Sequence, residues 1–405
     1  PRPGPGGAGG SQQAGLMASL SPFRVDRSRS RGLADRAGFD IGAVHHFDFL
    51  LVGAAAAITI LGLVMIYSTT HLRVPGDPYY FVKRQALFAV IGLGVMTAVL
   101  AVDYRKLRDY SLLAYCATLF MLLAVLAPVG SNVKGHQAWF QLPGGFTVQP
   151  SELAKFGVIV ALAGYCNQYR GELDAWRLTT VVALAALPLG LVLLQPDLGT
   201  VMVLMVIIAG LLAMAGVTGR QLLVLALLAA TGVYAVVGLG LLKQYQLDRL
   251  TTFIDPESGT SQGTAYNQEQ SKQAIAHGRI TGEGLENGSQ TQGGFVPEQH
   301  TDFIFTAVGE ELGFVGGLLL LSLFALVIWR TWQTARMARD FFGALVCIGV
   351  LTMLAFQVFE NMGMTMGIMP VTGIPLPFMS YGGSSLITTY AAIGLVANVS
   401  MRRFT

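Results

Sequence analysis

Ten apolar runs, each near the length of a bilayer-crossing helix, dominate residues 48–400. They lie near 48–69, 85–102, 111–128, 151–166, 179–195, 198–216, 220–242, 303–329, 341–362 and 381–400. A span needs about 20 apolar residues, because the hydrocarbon core is ~30 Å thick and a helix rises about 1.5 Å per residue. Only 12% of residues are charged, about half the share expected of a soluble domain. The net charge of +3 is too small and too dispersed for nucleic acid. Cys116, Cys166 and Cys347 all sit in apolar runs, which gives no disulfide framework and no metal-ligand spacing. The expected fold is an all-α integral membrane protein of ten transmembrane helices.

Orientation follows from Lys and Arg in the short connections. Arg105, Lys106 and Arg108 follow the second run, Arg170 and Arg177 the fourth, Arg220 the sixth. Arg330, Arg336 and Arg339 follow the eighth, and Arg402 and Arg403 close the chain. With ten spans these clusters share one side with the Pro-, Gly- and Arg-rich residues 1–46, read as a disordered basic cytoplasmic tail. Both termini are then cytoplasmic. Residues 129–150, 363–380 and the large loop 243–302 face outward, and no internal repeat argues for transporter architecture.

Charges inside spans mark function by default. Glu152 and Lys155, three apart in "VQPSELAKFGVIV", share one helix face after Pro150. They are either a neutralising pair between helices or the lining of an outward cavity. In the large loop, "AYNQEQSKQAIAHG" reads as a short amphipathic helix with Tyr266, Gln270, Ala274 and Ile275 on one flank and Gly278 as its stop. Arg249, Lys272 and Arg279 give that loop a positive field suited to a lipid phosphate. Asp302 stands at the threshold of the eighth span, where Thr301 or Asp302 caps the helix or the acid serves as a general base. Glu310 lies two turns deeper on nearly the same face. The segment "NMGMTMGIMPVTGIPLPFMSYGGSS", with Pro370, Pro375 and Pro377, cannot be a regular helix and reads as a re-entrant or cavity-rim loop.

Six motifs together carry a resemblance: "QPSELAK", "QPDLGT", "RLTTFIDPE", "YNQEQSKQAI", "PEQHTDFIFTAVGEELG" and "GIPLPFMSYGGSS". Over roughly residues 47–403 the chain resembles the SEDS family (shape, elongation, division and sporulation). Its "GEGLENGSQTQGGFVPEQHTDFIF" is more similar to the RodA-like elongation branch than to the division branch. The resemblance implies a peptidoglycan glycosyltransferase of the cell membrane that polymerises lipid II into glycan strands on the outer face. It implies Asp302 as catalytic base. It also implies substrate-binding roles for Trp139, Glu152, Lys155, Arg249, Gln270, Ser271, Glu298, Glu310, Ser380 and Tyr381. Three positions depart from the family's pattern: Ala138 stands where many members carry Arg, and His277 and Arg279 where small residues are common. The implied partners are lipid II, the nascent glycan, membrane lipid and a class B penicillin-binding protein.

The chemistry so implied needs a base to deprotonate the acceptor 4-hydroxyl, and cations for the undecaprenyl pyrophosphate leaving group. Donor α and product β linkages mean inversion, so no carboxylate nucleophile is required. A divalent cation, Mg or Mn, would fit between Asp302 and the pyrophosphate, although the sequence holds no ligand cluster for one. Two rivals stay open: a lipid II flippase using a cavity lined by Glu152, Lys155 and Glu310, and a division-specific polymerase of the FtsW type.

Overall fold

The computed structural model describes residues 47–128, 130–133, 136–143, 145–171, 174–238, 240 and 264–404. The basic tail and all of "RLTTFIDPE", Arg249 included, therefore lie outside the described residues. Helix α1 (Phe49–Thr70) leads to α2 (Tyr80–Ala101), the short α3 (Tyr104–Asp109) and α4 (Ser111–Leu126). Strands β1 (Ser131–Val133), β2 (His136–Leu142) and β3 (Phe146–Val148) come next. Helices α5 (Pro150–Gln168), α6 (Ala175–Leu194), α7 (Leu198–Met214) and α8 (Gly219–Gly238) follow. Beyond them lie α9 (Thr264–Gly278), α10 (Ser289–Gln292) and α11 (Ile304–Glu311). The chain closes with α12 (Gly313–Met337), α13 (Phe341–Met366) and α14 (Gly383–Met401).

Among the described residues six helices are long and apolar enough to cross a membrane: α1, α2, α6, α12, α13 and α14. Helices α4 and α7 are apolar but shorter, as is the Gly219–Gly232 stretch of α8. Aspartates start several of them. Asp48, Asp174, Asp197 and Asp340 each accept a hydrogen bond from a first-turn amide of α1, α6, α7 and α13 respectively. Such a cap satisfies an orphan donor and places negative charge at the positive end of the helix. Asp48 also pairs with Arg330 of α12 at 2.9 Å, tying the two helices together. Helices α13 and α14 carry the most buried faces of the bundle. Small residues allow close packing there, as membrane helix pairs require: Gly92 of α2 meets the Tyr390 ring, and Gly394 of α14 meets Met96.

Two expectations need correction. The chain is not wholly α: residues 131–148 form a three-stranded antiparallel sheet in the order β1-β2-β3, where sequence suggested only an elaborate loop. The strands are short and set among glycines, so no period-2 pattern announces them. Second, the eighth apolar run is two helices. It breaks at Leu312-Gly313, where Gly313 adopts φ +66, a conformation that favours glycine. The break is filled by a neighbouring segment. The amides of Phe314 and Val315 donate to the carbonyls of Arg279 and Ile280 at 2.9 and 3.1 Å. In return the amides of Glu283 and Gly284 donate to the carbonyls of Glu310 and Glu311, both at 3.0 Å.

The amphipathic helix exists as α9, but its buried face differs from the one expected. Gln268, Ser271, Ala274 and Gly278 point inward, while Tyr266 is exposed. Ser271 Oγ bonds Thr306 Oγ1 at 2.6 Å and donates to the Thr365 carbonyl at 2.9 Å. Gln268 Nε2 donates to the carbonyls of Met364 and Met369 at 3.1 and 3.2 Å. Polar anchors, rather than the aromatic flank, seat this helix on α11 and α13.

Candidate active site

Glu152 and Lys155 form an ion pair of 2.7 Å, with residue exposures of 4% and 1%. Pro150 occupies the first turn of α5, so the pair projects from the start of that helix, where an acid is favoured by the helix dipole. The two side chains line a small polar cavity of about 30 Å³ with Gln149, Asp197, Thr200, Val203, Gly373, Ile374 and Pro375. Asp197 is held there from three directions. Its Oδ2 accepts from Gln149 Nε2 at 2.9 Å and Ser151 Oγ at 3.0 Å, and its Oδ1 from the Thr200 amide at 2.9 Å. Two acids and one lysine thus line a single cavity. In sequence Asp197 figures only within "QPDLGT", with no role of its own; the signal available was a second Gln-Pro followed by an acid, as at Gln149-Pro150.

Asp302 approaches this cavity through its wall. A Cβ placed on Gly373 would lie 3.2 Å from Asp302 Oδ2, and Gly373 has φ +79. Absence of a side chain at Gly373 therefore lets the carboxylate lie against the cavity-rim loop. The Asp302 turn is gathered by one carbonyl: Glu298, itself at φ +53, accepts from the amides of Thr301, Asp302 and Phe303. Neither Thr301 nor Asp302 is the helix cap that the sequence suggested. Phe303 takes the N-cap position of α11 and contributes no side-chain bond. The polar role foreseen for Asp302 as a cap is thus gone, and its carboxylate is placed at the loop instead.

The remaining candidates divide. Glu298 shapes the Asp302 turn through its backbone. Ser380 Oγ accepts from the Leu376 amide at 2.8 Å, and its carbonyl accepts from Gln85 Nε2 at 2.9 Å, so it fastens the rim loop to α2. The Tyr381 amide donates to the His300 carbonyl at 2.9 Å, and its ring packs against Phe81 and His300. Ser271 is buried in the anchor described above, and Gln270 beside it is half-buried. Trp139 sits on β2, half-buried, and its carbonyl accepts from Ser131 Oγ at 2.8 Å.

Glu310 does not line the cavity with Glu152 and Lys155. It is 0% exposed. Its Oε1 accepts from the Gln290 amide at 2.7 Å, and its Oε2 from the Thr291 amide at 2.9 Å and Thr291 Oγ1 at 2.6 Å. The carboxylate therefore braces the first turn of α10. Glu311 next to it accepts from Ser68 Oγ at 2.6 Å. Among the described residues the side chains at metal-ligand spacing are His277, Glu283 and Glu310, away from the cavity, and Glu310 is already spent on those bonds.

This geometry can be set beside known proteins. The profile of the cell cycle protein family of FtsW, RodA and SpoVE matches residues 48–404. A probable peptidoglycan glycosyltransferase FtsW of Geobacter metallireducens is 35% identical over 366 residues, covering 89% of this chain and 96% of that one. Stage V sporulation protein E of Bacillus subtilis is 36% identical over 359 residues, covering 87% and 96%. The crystal structure of the rod shape determining protein RodA of Thermus thermophilus is similar with a TM-score of 0.66 at 31% identity, covering 89% of this chain and 98% of that one. A chain from work on structural coordination of polymerization and crosslinking by a peptidoglycan synthase complex gives a TM-score of 0.75 at 33% identity, with coverage of 89% and 99%. Match length, identity and shared architecture agree, and the chain belongs to the SEDS family of FtsW, RodA and SpoVE proteins.

Proposed function

We propose that this chain is a peptidoglycan glycosyltransferase that polymerises lipid II, with Asp302 as general base. The observation that carries the reading is the approach of the Asp302 carboxylate to Gly373, a wall residue of the cavity that holds the Glu152–Lys155 pair. An inverting displacement needs its base and its leaving-group cation on opposite sides of the anomeric carbon. A base behind the rim loop and a buried ammonium across it meet that requirement. Asp302 takes the proton of the acceptor 4-hydroxyl as oxygen attacks, and the pyrophosphate departs toward Lys155. Arg249, at the start of the large loop, completes the cationic side in this reading; as a planar, permanently charged donor it can grip phosphate with two parallel bonds.

The same reading takes ten spans, with both termini cytoplasmic and the cavity opening outward. Six spans together with the shorter apolar helices and α5 support that count, and the basic clusters support the side. A class B penicillin-binding protein is the proposed partner, supported by the likeness to a chain of a peptidoglycan synthase complex. The elongation role rests on the residues 282–305; relatives named for division and sporulation are also similar, so complementation of elongation-depleted and division-depleted cells decides between branches. The flippase alternative loses one of its three lining residues, since Glu310 is committed to α10. Reconstituted protein supplied with lipid II, alone and with its partner, should give glycan polymer. Lipid II crossing the bilayer without polymer would favour the flippase instead.

Gly373 offers an independent check. Alanine there must adopt a left-handed conformation, at a cost of ~1–2 kcal/mol, and its methyl would press on Asp302 Oδ2. Displacement of a catalytic group by about 1 Å is able to cost up to ~10²-fold in rate. Gly373→Ala is expected to lower polymerisation by ~10-fold or more while the melting temperature falls only slightly. Unchanged polymerisation in this variant would place the reacting atoms elsewhere.

A further inference from the structure

Asn361, in the last turns of α13, is 0% exposed, and its side chain bonds two separate loops. Its Nδ2 donates to the Asp302 carbonyl at 2.7 Å and to the Ile374 carbonyl at 2.8 Å. Both acceptors are carbonyl oxygens, which can only accept, so the amide orientation is fixed by its neighbours. Both hydrogens of the amide are thereby used. Its Oδ1 is buried without a partner. A fully buried amide oxygen left unbonded costs free energy, so the donor side of this residue is what its placement serves.

The consequence for Asp302 is complete backbone fixation. Its amide donates to the Glu298 carbonyl at 3.1 Å, and its carbonyl is held by Asn361. The residue after Gly373 is held by the same nitrogen. Next to Asn361 on the helix, Glu360 Oε1 accepts from Thr372 Oγ1, so two consecutive residues of α13 grip the rim loop on both sides of Gly373. Helix α13 is among the most buried elements of the bundle, and thus a rigid base for such a clamp.

We propose that Asn361 is a positioning residue, which sets the Asp302 carboxylate against the rim loop by tying the carbonyls of Asp302 and Ile374 to one amide nitrogen. The proposal rests on the reading of Asp302 as general base. Removing the amide leaves two carbonyls without their donor and lets the Asp302 turn and the rim loop part. A base must stay within hydrogen-bond reach of the hydroxyl it serves, and misplacement of about 1 Å is enough to cost up to ~10²-fold.

The test uses the purified full chain in lipid bilayers, with polymerisation of lipid II measured per folded molecule. Asn361→Ala is expected to lower kcat by ~10–100-fold with KM for lipid II within about twofold of the parent. A purely structural asparagine would instead reduce the folded fraction and leave kcat per folded molecule intact, which overturns the proposal. Asn361→Asp supplies a readout that packing alone does not move. Its protonated acid is able to donate one bond to a carbonyl, whereas its carboxylate faces two carbonyl oxygens and repels them. The activity of Asn361→Asp relative to the parent should therefore rise as pH falls from about 8 to 5, across and above the carboxyl range, while the ratio for Asn361→Ala stays flat. A flat ratio for Asn361→Asp overturns the proposal even where Asn361→Ala fails to fold. Asp302→Asn is assayed in parallel. If it polymerises normally, the base assignment fails; if it is inactive while Asn361→Ala is near parental, only the role of Asn361 fails.

Discussion

Asp302→Asn is expected to abolish glycan polymerisation by the purified protein, a loss of ~10²–10⁴-fold set by the contribution of a general base. The amide has the same shape as the carboxylate but cannot take a proton. The fold should tolerate it, because the turn is built from the Glu298 carbonyl, the Asp302 backbone and the Asn361 amide. Phe303, not Asp302, stands at the N-cap of α11, so no helix end depends on the charge. The measurement is polymer length and yield from lipid II beside a melting curve. Polymer at a rate within about threefold of the parent would remove Asp302 from the chemistry, since even a weak general base contributes more than that.

The second large effect is expected at Lys155. Its ammonium is the partner of Glu152 at 2.7 Å and lines the cavity shared with Asp197. Lys155→Met leaves a buried carboxylate with no counter-charge, and breaking a buried pair from one side costs about 3–5 kcal/mol. Glu152→Gln should be milder in stability, because Asp197 remains in the same cavity to balance the lysine. Activity should collapse in both, and in Glu152→Gln further than the melting temperature explains. Equal stability losses with polymerisation retained in both variants would make the pair a structural tie between helices and nothing more.

Much of this was legible in the sequence, for reasons that differ by element. The apolar runs showed themselves because hydrocarbon imposes composition, and most of the observed helices begin and end close to those runs. Helix α12 instead continues to Met337, so Arg330 and Arg336 lie on the helix rather than after it. The break at Gly313 was not foreseen because the run 303–329 is apolar on average, despite Glu310 and Glu311 just before the break. Its cause is a set of backbone bonds to residues 279–284, and backbone bonding leaves no mark in hydropathy. Charges inside spans pointed to Glu152 and Lys155, which pair beside a small cavity, whereas Glu310 looked equivalent by helical spacing and proved to be a brace for α10. Spacing gives the face of one helix but not what covers that face. Asp197 and Asn361 were missed for the opposite reason. Each reads alone as a helix cap or an ordinary polar residue, and each acquires meaning only when distant segments meet around it.

The cavity volume of about 30 Å³ bears on how a substrate would reach the proposed site. That space suits a water molecule or two, whereas sites for drug-sized ligands occupy roughly 300–1,000 Å³. If the proposed site is the one used, a disaccharide pyrophosphate would need α5, α7 and the rim loop to draw apart before it entered. Lipid II and anything that favours the parted arrangement would then act on one equilibrium, each raising the apparent affinity of the other by the fraction of molecules already open. A partner could then govern glycan synthesis without contributing a single reacting atom, simply by holding the door. Chain growth would be licensed where cross-linking machinery is present and would lapse where it is not.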